Sequence, residues 1–252
     1  MNLGAPIAIG NTAKIYLHKD KIYKVFNDYL PETEAFNESA KQKYAYSCGL
    51  PVPKIIDVTK INGKQVIIME LIKGQSIGEI LSENMEQAEY HMNIMVQIHQ
   101  QIHKVEVEAD SIESMKEKLS RQINSTNNLS NKHKSALLQK LNKITFKSRL
   151  CHGDYHPFNL IMTDTNVTII DWVDASAGDL RADVYRTYLL YSQVSTELAE
   201  MYLHLYCEKS GLAKDEVLQW APIVAAARLS ENVPSEISVR LLDIINQSCP
   251  LL

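Results

Sequence analysis

The segment Cys151-His152-Gly153-Asp154-Tyr155-His156-Pro157-Phe158-Asn159 holds the residues whose types and spacing could do chemistry. Asn159 follows Asp154 by five residues. Twelve residues after Asn159, Asp171 closes the apolar stretch Ile169-Ile170 and precedes Trp172. One carboxylate can accept a proton from a hydroxyl. An Asn carbonyl and a second carboxylate are hard oxygen ligands suited to Mg2+. A hairpin between Asn159 and Asp171 would bring these side chains to one edge. The pattern is that of phosphoryl transfer.

Other readings compete for the same residues. His152 and His156 bracket Asp154, and His-x-Asp-x-His can bind a metal. A metallohydrolase would need further ligands downstream, and the only later histidine is His204, in a helical stripe. The two histidines are therefore expected to brace the loop through hydrogen bonds. His99 and His103 stand at i,i+4 spacing, which can also bind metal. Without a Glu-x-x pattern between them, they are expected to pack. Trp172 and the methionines of residues 85–95 are expected in the core.

The elements that must position these residues change character along the chain. Ala13–His18 and Lys21–Phe26 are expected strands around a polar turn. Pro31 opens a helix over Glu32–Ser47, ended by Gly49. Ile55–Val58 and Gln65–Met69 are two more strands joined by Asn62-Gly63, a strong hairpin signal. After Gly74 the periodicity turns helical. Met92, Met95, Val96, His99 and Ile102 share one face, as do Ile112, Met115, Leu119 and Ile123. Leu137, Leu138, Leu141 and Ile144 follow a polar turn. Residues 150–171 return to short strands: Leu150-Cys151, Leu160–Met162 and Val167–Ile170. Val194, Leu198, Met201, Tyr202 and Leu205 form a later stripe. One long helix is expected to hold Val217, Leu218, Ala221 and Val224. The fold class is thus α+β and two-lobed: a small β-rich N-lobe over residues 1–72 and a larger, mainly helical C-lobe over residues 73–252. Ligands commonly sit in the cleft between such lobes.

Composition narrows the function classes. The 252 residues are 45% hydrophobic and 22% charged, ordinary for a globular protein. No apolar run is long enough to span a bilayer, and no basic start precedes an apolar h-region. Cys48, Cys151, Cys207 and Cys249 lack metal-type spacing and suit reduced thiols of a cytoplasmic protein. A net charge of -4 argues against nucleic acid as a partner. Residues 1–150 carry 20 basic and 16 acidic residues, and residues 151–252 carry 6 and 14.

His152-Gly153-Asp154-x-His156-x-x-Asn159 followed by Ile170-Asp171-Trp172 resembles the aminoglycoside phosphotransferase and choline kinase family, the small-molecule branch of the protein-kinase-like fold. The resemblance covers nearly the whole chain and extends to Gly178-Asp179 and Asp183. It implies Asp154 as catalytic base and Asn159 and Asp171 as Mg2+ ligands. It implies that Lys24 is the strand lysine on the ATP phosphates, oriented by Glu38, with Glu34 one turn earlier as a competitor. Glu70-Leu71-Ile72 after Met69 resembles the hinge whose backbone binds adenine. The phosphate-covering loop falls at Ile9-Gly10-Asn11-Thr12-Ala13. It has one glycine where protein kinases have three, so backbone amides and the Thr12 hydroxyl would serve. His152, His156, Asp179 and Asp183 would support the catalytic loop.

Gly153 stands where protein kinases carry an arginine for a phosphorylated activation loop, and only seven residues separate Asp171 from Asp179. A long activation loop has no room there, which favours a small hydroxyl-bearing acceptor over a peptide. The expected donor is ATP with Mg2+, with GTP left open, and no membrane partner is expected. The acidic surplus after residue 150 includes Glu197, Glu200, Glu231 and Glu236. It points to a cationic acceptor such as an amino sugar or amino alcohol. Two alternatives remain at this point: a non-enzymatic nucleotide-binding regulator and a protein kinase acting in trans. The first would have lost Lys24, Asp154, Asn159 or Asp171, and all four are present.

Overall fold

The computed structural model describes residues 3–108, 111–164, 166–231, 233 and 238–248. By contacts the chain divides into two compact units. One runs through Glu83 and adds Pro157–Asp174; the other takes Asn84–His156 and the chain from Ala175 onward. Chain order alone set the boundary expected at residue 72. By contact, the segment that carries Asn159 and Asp171 groups with the N-terminal strands.

The first unit is built on an antiparallel sheet of order β1-β2-β3-β5-β4: β1 (Ala8–Ile9), β2 (Ala13–His18), β3 (Lys21–Phe26), β4 (Ile55–Ile61) and β5 (Lys64–Glu70). Both tight hairpins use two residues at positive φ, which matches the twist of the strands they join. Asn62 (φ 52°) and Gly63 (φ 82°) make one; Lys19 (φ 49°) and Asp20 (φ 56°) make the other, without a glycine. Ala13, Phe26, Ile67 and Met69 from the sheet pack with Ala35 of the helix α1 (Glu34–Ser47). That helix starts two residues later than expected. Its buried face is Ala35, Glu38, Ser39, Gln42 and Ala45, a correct i, i+3, i+4, i+7 spacing filled largely by polar groups. A second sheet, β6 (Gln75–Ser76), β8 (Leu160–Met162) and β9 (Val167–Ile169), has order β6-β8-β9 and leads into α2 (Ile77–Glu83). The chain pairs β7 (Arg149–Cys151) with β10 (Ser176–Gly178) in the second unit.

The rest of the second unit is helical: α3 (Ala88–Lys104), α4 (Met115–Ser125), α5 (Asn131–Lys143), α6 (Leu180–Ser192), α7 (Thr196–Ser210), α8 (Lys214–Leu218), α9 (Ala221–Ser230) and α10 (Ser238–Ser248). Three sequence expectations change here. The single long helix is two, α8 and α9, broken at Gln219-Trp220; α9 is buried on all sides and needs no amphipathic stripe. The buried face of α7 is Ala199, Tyr202, Leu203 and Tyr206, while Val194 lies before the helix and is 86% exposed. Met92 and Met95 are core, but Met85 is exposed. Trp172 is fully buried, as expected. Cys48, Cys151 and Cys207 are free thiols, and Cys249 lies outside the described residues. Among the described residues no helix is long and apolar enough to cross a membrane.

Candidate active site

In the first unit, strand alternation turns Lys24 of β3 inward, onto the polar face of α1. Its Nζ donates to Glu38 Oε1 at 2.6 Å and to Asp171 Oδ1 at 2.8 Å. The competitor Glu34 does not reach it. Burial would lower the Lys24 ammonium, but Asp171 and Glu38 outweigh burial and hold it above its ordinary value. Burial pushes Glu38 up to about 7, against the pull of Lys24. Glu38 Oε2 is buried and has no hydrogen-bond partner among the described residues. One turn on, Gln42 Nε2 donates to Pro53 O at 2.7 Å, and Lys41 Nζ donates to Val173 O at 2.7 Å. The same helix therefore holds the backbone just after Asp171. Neither contact was read from the sequence, although 38, 41 and 42 share a helical face.

Asn159 and Asp171 flank the β8–β9 hairpin. Leu160 pairs with Ile169, and Ile170 N donates to Asn159 O at 2.9 Å. The hairpin brings both residues to one end of the ladder, as their spacing predicted. Asp171 adopts φ 63°, a left-handed conformation that Asp tolerates better than most residues. Its side chain is 37% exposed, so one side of the carboxylate is open to a ligand.

The other residues expected at a nucleotide form separate local structures. Gly10 N donates to Ala13 O at 2.9 Å, which closes the turn between β1 and β2, and Thr12 O accepts from Asn27 N at 2.9 Å beyond the end of the β2–β3 ladder. Neither residue hydrogen-bonds to the Lys24 cluster. Met69 is buried in the sheet core. Glu70 is tied to Lys54 by its amide (3.0 Å) and by its carboxylate, which accepts from Lys54 N at 3.2 Å. Ile72, two residues on, is half-buried and makes no backbone hydrogen bond among the described residues.

In the second unit, Asp154 lies on a loop whose backbone is held from both sides. Gly153 sits at φ +82°, where a side chain would be strained. Its N–H donates to Asp183 Oδ1 at 2.8 Å, and its carbonyl accepts from Arg186 Nε at 3.1 Å. Asp183 and Arg186 are one turn apart on α6. His152 N donates to Asp183 Oδ2 at 2.7 Å, and Asp154 N donates to His152 Nδ1 at 3.3 Å. His156 Nε2 stands 3.4 Å from Asp154 Oδ2. Burial opposes ionisation of Asp154. The His156 hydrogen bond and charge, with Arg186 and His152, outweigh it and hold the carboxyl well below the usual carboxylate range. Asp154 is therefore ionised at neutral pH. Asp179, grouped with the loop supports from sequence, instead caps α6 through Arg181 N (2.9 Å) and pairs with the Arg181 guanidinium. Asp183 is the residue that grips the loop. Arg186 was missed, and its only sequence signal is its place one turn after Asp183.

The expected acidic surplus is largely engaged. Glu231 pairs with Arg186 (2.8 Å) and Arg228 (2.5 Å). Glu200 pairs with Lys214 (2.6 Å), and Glu197 accepts from Ser195. Glu236 lies outside the described residues.

No curated protein matches the chain in sequence. Solved structures match its fold. One is a thermostable mutant of aminoglycoside phosphotransferase APH(4)-Ia in a ternary complex with AMP-PNP and hygromycin B. It superposes with TM-score 0.70 at 10% identity, covering 98% of this chain and 94% of that one. Choline kinase LicA from Streptococcus pneumoniae follows at TM-score 0.63 and 16% identity, covering 96% and 90%. ADP-bound aminoglycoside phosphotransferase APH(2'')-Ib gives 0.61 and 15%, covering 96% and 90%. At these identities the likeness concerns the fold, which is protein-kinase-like, as the motif resemblance implied. The family model for the phosphotransferase enzyme family matches residues 4–220, a span that holds Lys24, Glu38, the loop around Asp154, the hairpin and Asp183 alike, and the chain belongs to that family.

Proposed function

We propose that the protein transfers the γ-phosphoryl group of ATP to a hydroxyl of a small molecule. The observation that carries this reading is the Lys24 ammonium shared between Glu38 at 2.6 Å and Asp171 at 2.8 Å. In kinase-like phosphotransfer, a strand lysine pairs with a helix glutamate and meets the nucleotide phosphates beside a metal-binding aspartate. Of the solved neighbours, APH(4)-Ia holds AMP-PNP and APH(2'')-Ib holds ADP.

The donor set suits a hard divalent cation. Asp171 offers an accessible carboxylate and Asn159 a carbonyl from the same end of the hairpin, both oxygen ligands of the kind Mg2+ takes. When bound, the ion would neutralise charge on the transferring phosphates. Lys24 would lie against the α- and β-phosphates, with Glu38 keeping its ammonium aimed. Gly10 and Thr12 would cover the phosphates, and the Glu70–Ile72 backbone would receive the adenine. The unengaged Ile72 amide supports that last role.

Asp154 would accept the proton of the acceptor hydroxyl. Its depressed carboxyl keeps it in the ionised, accepting form. His156 Nε2 stands beside it and Arg186 holds the preceding carbonyl of Gly153, which would keep it aimed. The seven-residue span from Asp171 to Asp179 holds β10 and no long loop, which supports a small acceptor over a peptide. The net acidity of residues 151–252 favours a cationic hydroxyl compound, although Glu200 and Glu231 are already paired.

Coupled ADP release across amino sugars, amino alcohols, neutral sugars and peptides tests the reading. Asp154→Asn should lower turnover on the best acceptor by about a hundredfold or more while MgATP affinity changes little. Full activity in that variant, or no nucleotide binding by the wild type, would overturn it.

A further inference from the structure

Asp183 is fully buried, and its carboxylate receives four N–H donors. His152 N (2.7 Å), His99 Nε2 (3.0 Å) and His103 Nε2 (3.1 Å) meet Oδ2, and Gly153 N (2.8 Å) meets Oδ1. Two donors come from the loop before Asp154 and two from α3. Behind the histidines stand two tyrosines of α7, at the same i,i+4 spacing. Tyr202 Oη lies 2.7 Å from His99 Nδ1, and Tyr206 Oη lies 2.6 Å from His103 Nδ1.

We propose that Tyr202 and Tyr206, acting through His99 and His103, are positioning residues that keep the loop carrying Asp154 in its working shape. The inference rests on the phosphotransferase reading for its effect on turnover, but not for the network itself.

The argument is one of donors and acceptors. A carboxylate accepts at both oxygens, and here three N–H groups converge on Oδ2 and one meets Oδ1. The Nε2–H tautomer lets each imidazole donate to Asp183 and leaves Nδ1 as a bare acceptor. Burial, with the neighbouring His103, pushes His99 down to about 3, so it is neutral under ordinary conditions. A buried Nδ1 needs a donor, and each tyrosine hydroxyl supplies one. Burial raises both phenols, which keeps them protonated and able to donate. Hydrogen bonds therefore run in one direction, from tyrosine to histidine to Asp183, and Asp183 in turn holds the two loop amides. His99 has a second grip on the loop. Its ring stacks on Tyr155, the residue after Asp154, with centroids 3.9 Å apart and planes 13° apart. Tyr155 is itself anchored by its hydroxyl to Met95 O at 2.7 Å.

His99, His103 and Asp183 also have the composition of a metal site, with ligand atoms within 4.8 Å of one another. A cation there would have to displace both imidazole protons from a carboxylate that two backbone amides already share. The hydrogen-bonded reading accounts for every atom of the cluster and the cation reading does not.

The test uses the full chain with 15N-labelled histidine. Long-range proton–nitrogen spectra of the wild type should show His99 and His103 as Nε2–H tautomers. In Tyr202→Phe the His99 ring, and in Tyr206→Phe the His103 ring, should lose that pure tautomer. The His152 and Gly153 amides should exchange about tenfold faster or more. MgATP hydrolysis with water as acceptor should lose about ten- to hundredfold in kcat, with KM for ATP within about twofold. Tyr191→Phe removes another buried hydroxyl, one that among the described residues meets only Met95 sulfur at 3.5 Å, and should leave kcat near wild type. The proposal is overturned by an Nδ1–H tautomer or stoichiometric zinc in the wild type. Tyrosine variants with unchanged tautomer, exchange and kcat would overturn it too, as would an equal loss of kcat in Tyr191→Phe. If a tyrosine variant fails to fold, the wild-type tautomers and the other variant decide. A wild type that hydrolyses no ATP while the tautomers and amide exchange behave as stated would sink the phosphotransferase reading and leave the network standing.

Discussion

Each unit holds one buried polar cluster, and the two are built on opposite principles. Around Lys24, one cation is shared by two carboxylates, and Glu38 Oε2 has no partner among the described residues. Around Asp183, one anion is shared by four N–H donors, and both of its oxygens have a partner. The first cluster has surplus negative charge and an exposed edge at Asp171, which suits a group that must receive another cation. The second is saturated and fully buried, which suits a group that must hold one backbone conformation. Burial acts on both, with opposite results. It pushes the under-compensated Glu38 up to about 7, whereas the hydrogen bonds from His103 and His99 keep Asp183 well below the usual carboxylate range despite burial.

The largest expected effect is at the saturated cluster. Asp183→Asn replaces an acceptor oxygen by an N–H2 group facing N–H donors, and should cost about 3 kcal/mol or more of stability in urea unfolding. A loss below about 1 kcal/mol would erase the contrast between the clusters.

A smaller effect is expected from Lys24→Ala. The residual Glu38 can take up a proton, so stability should fall less than in Asp183→Asn. MgATP binding should weaken about tenfold or more while adenosine binding changes little, because the lysine's partner is a phosphate. Calorimetric titration of both ligands separates the cases, and equal losses would point to a folding defect.

Glu38→Gln should cost still less, about 1 kcal/mol, since Gln can still accept from Lys24 and Asp171 still balances the ammonium. A cost as large as that of Asp183→Asn would mean that the first cluster is as complete as the second.

The pH dependence sharpens the comparison with the least perturbation. Glu38 is raised from 4.5 to about 7, so the native state binds the extra proton in that window. Its contribution is present below pH 4.5 and is lost as pH rises through about 7. His99 is lowered from 6.5 to about 3, so the unfolded state binds the extra proton there. Its contribution is present above pH 6.5 and is lost as pH falls toward 3. Glu38→Gln should therefore flatten the decline in stability between pH 4.5 and 7 and leave the acid limb unchanged. An unchanged profile in that variant would show that Glu38 does not titrate in this range.

Local pattern made much of this molecule legible. Alternation marked β2 and β3 to the residue, and Asn62-Gly63 marked one hairpin because only a positive-φ pair fits there. The spacing of Asp154, Asn159 and Asp171 marked them as candidates because phosphoryl transfer demands those residue types at short range. Periodicity was less informative where burial is not amphipathic. The all-buried α9 carries no stripe, and the inner face of α1 is polar because Glu38 and Gln42 are engaged there. The face of α7 was misplaced because the exposed Val194 lies outside the helix, while the buried tyrosines look amphipathic in sequence.

What the sequence by itself determined is the set of chemical groups, the strands and helices that carry them, and the family's phosphotransfer motif. All of these are written in short-range spacing. Only the tertiary structure decided which of two glutamates meets Lys24 and that Asp183, not Asp179, grips the loop. It also decided that histidines at 99 and 103 face tyrosines about a hundred residues later. Those pairings depend on how distant helices and strands pack against one another, and a hydrogen bond across such a separation leaves no periodic trace in the chain.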